Sequence, residues 1–402
     1  MISLALLAAI WTNTADVRSV AVAGSIVWTA TSGGVETYAL PAGTRTALYT
    51  TEQGLDANDV HHVAIDAGAV QVRTDRSICA LHEGRFSCAA VTRPPAITPA
   101  VAARAHGARE TARLKIGHQT LVATAGAGLW LDDQRITPEG QICTNHVQAL
   151  AEFQGAVWVG GFDGGLCVID ERGAFRTVPA PFRMINDLLP TPRGLYVAAA
   201  EGLFVTTDGR NFRRETRVRE RGVNRLALSH SGKRLFVTTP AVLYELRFGR
   251  SDVVRRWRKP AGSTSLQGVA VSGRTVWLAS EDRGVIRFRG DRFESFDRAS
   301  GLPSSWIVDV AAAEDGGVWA ATLRNGVVRL DSSGKVRAVH VDPHAWTLRL
   351  YDDGGEMLVG TQHGLDGYAS LPDPRVHALL RTARGLWVGT EGGLGLVLDF
   401  RW

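Results

Sequence analysis

The chain has 402 residues, 45% of them hydrophobic, with 45 basic and 40 acidic side chains and a net charge of +5. That composition supports a large buried core and excludes a highly charged disordered chain. No apolar run reaches the length needed for a membrane-spanning helix.

In chain order, one unit recurs: an apolar strand, a turn with Asp or Gly, then a run of the type Φ-W-x-x-T-x-x-G-G-Φ. It is clearest over 301–331 (GLPSSWIVDVAAAEDGGVWAATLRNGVVRLD) and returns over 156–170 (AVWVGGFDGGLCVID) and 385–399 (GLWVGTEGGLGLVLD). The second-strand anchors are Trp28, Val72, Val122, Trp158, Tyr196, Phe236, Trp277, Trp319, Leu358 and Trp387. They recur at about 36 to 50 residues, the period of four-stranded propeller blades, until a shorter last interval. Within 306–341 the pattern predicts strands at 306–312, 318–322, 327–331 and 335–341, separated by turns at 314–317, 324–326 and 332–334. Glycine suits such turns because tight hairpins need positive φ. The segment 99–115 reads as a long irregular excursion, and no amphipathic helix is predicted.

The expectation is an all-β protein, a single closed β-propeller of about ten blades over residues 1–402. The last unit (375–402) lacks an outer strand. Residues 4–11 match the outer strand at 44–49, and residues 2–11 are expected to complete that blade beside 394–400, which removes an open edge. The competing reading is a short export signal over 4–10. No basic residue precedes that run, and Asn13 sits poorly near a cleavage site.

The run G-L-P-S-S-x-I-x-x-V at the start of 301–327, with D-G-x-V-W-A-A-T-x-x-N-G-V after it, resembles the two-component regulator propeller repeat. That resemblance implies periplasmic sensor propellers that often recognise glycans, joined to a membrane segment and a histidine kinase. This chain departs from the plan in having no transmembrane helix, no kinase and ten units.

Cys79 and Cys88 flank a hairpin centred on Glu83-Gly84 and face each other at a non-hydrogen-bonded position, close enough for a disulfide. Cys143, before the inner strand of the fourth unit, and Cys167, on its third strand, can also meet. The alternative is four buried thiols. Bridged pairs imply the periplasm or the cell exterior, and reduced ones the cytoplasm. No C-x-x-C motif suggests a zinc site.

The second-to-third-strand turns share one face, the default ligand face of such a scaffold. They carry Asp75, Arg76, Asp163, Glu201, Glu281, Asp282, Arg283, Arg324, Asn325, Gln362, His363 and Glu391. A basic block over 209–225 and 247–260 puts Arg213, Arg214, Arg217, Arg255, Arg256 and Arg258 on the rim. There they could meet a polyanion, with Trp257 adding stacking, or simply protect an edge. His61 and His62 begin an inner strand, with His146 similarly placed, and are expected to pack or meet solvent.

No nucleophile elbow, phosphate loop or zinc-protease motif occurs, and adjacent turn carboxylates such as Glu281 and Asp282 make poor acid/base pairs. The expectation is a monomeric, non-enzymatic binding propeller without catalytic residues, cofactor or metal. Its partner would be a protein or glycan, in an exported sensory or surface role. The alternatives are a propeller lyase or hydrolase with a site at the channel mouth, and an intracellular interaction scaffold.

Overall fold

The structure is a computed structural model that describes residues 4–66, 68–91, 103–248, 253–260, 265–340, 346–365, 368 and 371–400. Ten antiparallel sheets follow one another along the chain. In order they span 17–49, 62–90, 104–135, 147–178, 185–214, 225–258, 266–296, 307–340, 347–365 and 376–400. Eight are four-stranded among the described residues; the third has five strands and the ninth three. The tenth takes its outer strand from the other end of the chain, where Leu4–Trp11 pairs antiparallel with Gly393–Phe400. Ile2 lies outside the described residues. The predicted excursion is partly regular, because Ala108–Ile116 is a nine-residue strand of the third sheet.

The middle strands read as continuous apolar runs because both of their faces meet a neighbouring sheet. Ala156–Gly161 and Leu166–Ile169 are buried almost throughout. Outer strands touch one neighbour and water, so Val336–His340 is mostly exposed.

The ten sheets do not form one ring, which corrects the expected ten-blade closure. The inner strands of the fourth to tenth sheets pack in sequence, and that of the tenth, Val376–Thr382, packs against that of the fourth, Val147–Phe153. Seven blades therefore close on themselves. The same device appears at successive junctions. A Cβ on Gly160 would lie 2.6 Å from Ile185 Cγ2 of the next blade, and one on Gly360 2.8 Å from Val376 Cγ1. A Cβ on Gly389 would lie 2.5 Å from Val147 Cγ1, so the tenth blade meets the fourth as the fourth meets the fifth. Trp11 reinforces that junction, stacking on Trp387 at 5.3 Å and meeting Phe175 edge-on at 6.0 Å.

The first three sheets form a separate row with the first in the middle. Trp28, Ala30 and Val35 pack on Val63, Val72 and Phe86 of the second sheet. Val27 and Tyr38 pack on Leu121 and Leu129 of the third. Polar side chains on the two connecting segments join this row to the ring. Asn13 N–H donates to Asn145 Oδ1 (2.6 Å), and Asn145 Nδ2 donates to the carbonyls of Asn13 (2.7 Å) and Ser32 (2.9 Å). Thr14 and Gln141 exchange two further bonds. Both cysteine pairs are disulfides, and Cys143–Cys167 fastens the entering segment to the fourth blade.

Candidate functional site

Where the row meets the ring, a polar cleft of about 500 Å³ opens, lined by Arg18, Asp59, Asn145, His146, Arg375 and Glu391 among others. Two features of the strands put these side chains there. First, in most ring blades the residue just before the inner strand accepts a bond from the residue just after the second strand. This holds for 146 and 162 (3.0 Å), 306 and 323 (3.1 Å), 346 and 362 (3.0 Å), and 375 and 391 (3.3 Å). His146, Trp306, Trp346 and Arg375 therefore occupy equivalent places on one face. Second, most inner strands are bulged near their start. The register slips between Val376 and Ala378, between Val147 and Ala149, and between Val17 and Ser19. A bulge inserts one unpaired residue and re-aims its side chain. Here that residue is His377, Gln148 and Arg18.

Charge is organised in two groups. In the ring, Asp373, whose side chain is fully buried, holds Arg375 through two bonds (2.8 and 3.0 Å). Arg375 in turn pairs with Glu391 Oε2. The other carboxylate oxygen, Oε1, lies 2.9 Å from His377 Nε2 and 4.0 Å from His146 Nε2. Burial pushes the Glu391 carboxyl up, but the His377 bond and the Arg375 charge outweigh it and hold the group below its ordinary range. Burial, aided by the nearby His377, lowers the His146 pKa. In the row, Arg18 Nη1 lies 2.7 Å from Asp59 and 2.8 Å from His61 Nδ1, and His61 Nε2 lies 2.8 Å from Asp75. His61 thus sits in polar contact between Arg18 and Asp75 and is not packing alone. Its neighbour His62 is half-buried.

Of the sequence-predicted ligand-face residues, Asp163 and Glu391 line the cleft and Asp75 borders its row side. Arg76 lies on the row, and the others spread around the ring. Glu201 accepts from Arg183 N–H, and Glu281 accepts from Gln267. Arg324 lies over the Trp346 ring at 5.0 Å. Arg76, Asp282, Arg283, Asn325 and His363 stay in exposed or half-buried turns. On the basic rim, Arg213, Arg214, Arg256 and Arg258 are exposed on outer strands, whereas Arg217 pairs with Glu215 and Arg255 with Asp291. Trp257 does not offer a free ring, since it packs on Phe288 and carries Arg255 over its face.

Sequence reasoning missed Arg18, Arg375 and His377, and also the exposed aromatics. Phe162, Trp306 and Trp346 are 43%, 46% and 40% exposed, and all lie at the cleft end of their sheets. A basic residue in the second place of an inner strand, just before its apolar middle, is the signal that marks His377 and Arg18.

No family model and no curated protein sequence matches the chain. Solved structures do. The extracellular domain assigned to the hybrid two component system BT4673 from B. thetaiotaomicron is 13% identical, with a TM-score of 0.52 over 95% of this chain and 69% of that one. The corresponding domain of BT3049 is 15% identical, with a TM-score of 0.55 over 94% of this chain. The chain spans 56% of that domain's length. A streptogramin B lyase is 13% identical, with a TM-score of 0.54. It is covered over 95% of its length by 64% of this chain, about the share that the seven ring sheets occupy. These likenesses establish an all-β architecture of propeller type, consistent with the regulator-type repeat.

Proposed function

We propose that this chain is a non-enzymatic, ligand-binding propeller that works outside the cytoplasm as a sensory or surface module, and that its ligand is a glycan. One observation carries the reading. The equivalent mouth positions of four successive blades, the eighth, ninth, tenth and fourth, hold Trp306, Trp346, Arg375 and His146. Phe162 stacks beside His146 at 5.0 Å. The corresponding positions of the fifth and seventh blades are Met184 and Ser265. Flat exposed rings suit the C–H faces of sugars, and the neighbouring Arg, Glu and Asn suit hydroxyl and carboxylate groups. Exposed aromatic surface rimmed by polar groups marks binding sites in general. The two disulfides support an oxidising compartment. The extracellular domains that share the fold support the same reading.

A glycan array followed by calorimetry tests it. A hit should weaken at least about tenfold in Trp346→Ala and in Trp306→Ala, the loss of one good stacking contact. No retained glycan, or retention indifferent to both changes, would refute the proposal.

A second reading has its own support. The His377–Glu391 pair stands in hydrogen-bond contact at the cleft, the geometry a general base needs. A propeller enzyme of lyase or hydrolase type would then act at the mouth. Turnover abolished by His377→Gln with ligand binding retained would favour it. We also propose that the chain is a monomer and that the exposed rim arginines form a secondary contact for anionic polymers.

A further inference from the structure

We propose that His146, His377 and Glu391 form a binding site for a borderline transition-metal dication, with Zn²⁺ as the reference ion. Their donor atoms all lie within 4.8 Å of one another. Two come from the tenth blade and one from the fourth, so the site sits on the seam that closes the ring. In a tetrahedral zinc centre, ligands about 2.0–2.1 Å from the metal stand roughly 3.3 Å apart. Separations of 2.9 Å for His377 and 4.0 Å for His146, each to Glu391 Oε1, reach that spacing by sub-ångström side-chain shifts.

The carboxylate is already oriented. Asp373 fixes Arg375, Arg375 binds Oε2, and Oε1 is left facing both imidazoles. Such outer contacts set the aim of metal ligands. Gln148 Nε2 lies 2.6 Å from His146 Nε2. Its amide must turn aside for a metal, and its oxygen then supplies a fourth donor beside the cleft.

The donor set also selects the ion. Two imidazoles and one carboxylate whose charge Arg375 shares suit Zn²⁺, Ni²⁺ or Cu²⁺. Ca²⁺ and Mg²⁺ need several oxygen ligands. Among the described residues, two other groups of this kind are less suited. In Asp59, His61 and Asp75, the Arg18 guanidinium already sits against the first two. In Asp56, Cys79 and Cys88, the sulfurs are bonded to each other.

The test is calorimetric titration of the tag-free full chain with Zn²⁺, and with Mg²⁺ in parallel, in a non-coordinating buffer. Visible absorption of added Co²⁺ gives a second readout. One equivalent of Zn²⁺ should bind. Affinity should fall at least about tenfold in His146→Ala, His377→Ala and Glu391→Gln, and hold in His61→Ala. Melting curves without metal identify any variant that fails to fold, and for it His377→Gln or His146→Gln is used instead. Absence of Zn²⁺ binding at millimolar concentration overturns the proposal. So does a preference for Mg²⁺, or binding lost in His61→Ala and kept in His377→Ala.

Discussion

Replacing Gly389 with alanine probes the closure of the ring directly. The new Cβ would stand 2.5 Å from Val147 Cγ1 and 3.0 Å from the Ala378 Cβ. Trp387, Val388 and Val147 around it are fully buried, so the seam has little room to give. Overpacking of this kind costs about 1–3 kcal/mol. Gly389 does not adopt positive φ, so alanine brings no backbone strain and recovers up to about 1 kcal/mol of chain entropy. The expected net loss is about 1–2 kcal/mol, or roughly 2–8 °C in melting temperature for a unit of this size. Gly160→Ala should lose a similar amount, because its Cβ would meet Ile185 Cγ2 at 2.6 Å across an ordinary successive seam. Val147→Ala removes the methyl in the way. The double variant Gly389→Ala, Val147→Ala should therefore show a favourable coupling of about 1 kcal/mol, the scale expected for touching residues. Urea unfolding followed by tryptophan fluorescence measures all four. Were the ten sheets one ring, residue 389 would not face Val147. A neutral Gly389→Ala beside a destabilised Gly160→Ala, with no coupling to Val147, would refute the seven-blade closure.

Other consequences can be checked separately. Alkylation under denaturing, non-reducing conditions should label no cysteine, and the pair Cys143→Ser, Cys167→Ser should lower stability by about 2–4 kcal/mol in a urea melt. Stability should fall between pH 7 and pH 5. The unfolded chain takes up a proton at His146 near pH 6.5, while the buried folded residue, whose pKa is lowered, resists it until lower pH. His146→Gln should flatten that slope in thermal melts, and an unchanged slope would assign it elsewhere. Reversing the charge of Arg213, Arg214, Arg256 and Arg258 together should abolish salt-sensitive retention on a heparin column, and unaltered retention would remove the polyanion contact.

The strands were legible because a blade buried on both faces writes itself as short apolar runs such as Val157–Val159 bounded by turn residues. The number of blades in the ring was not. The seams at Gly160, Gly360 and Gly389 are each encoded locally by a small residue and an apolar neighbour, and the Gly389–Val147 seam looks in sequence like the other two. What breaks the row of ten into three and seven lies in the connections, where Asn13, Thr14, Gln141 and Asn145 bond across about 130 positions of chain. Such pairs leave no periodic trace. The candidate site was half legible for a related reason. Asp163 and Glu391 fall in turns, where polar residues are read as exposed. Arg375 and His377 sit at the edge of an inner strand, and period-two counting runs through the bulge and misplaces His377 by one.

The break in the row also explains why the site is one-sided. A symmetric ring would offer the same mouth at each blade. Here the three-sheet row lies over the junction of the fourth and tenth blades and adds Arg18 and Asp59 to one wall of the cleft. The aromatic positions on the eighth and ninth blades continue that wall along the same face. A ligand long enough to run from Trp306 past His146 to Arg18 and Asp59 would thus touch both bodies of the molecule. Its binding should stiffen the connections at Asn13 and Asn145, which is measurable as slower amide exchange at those positions. A ligand that protects only the ring would show that the row plays no part in recognition.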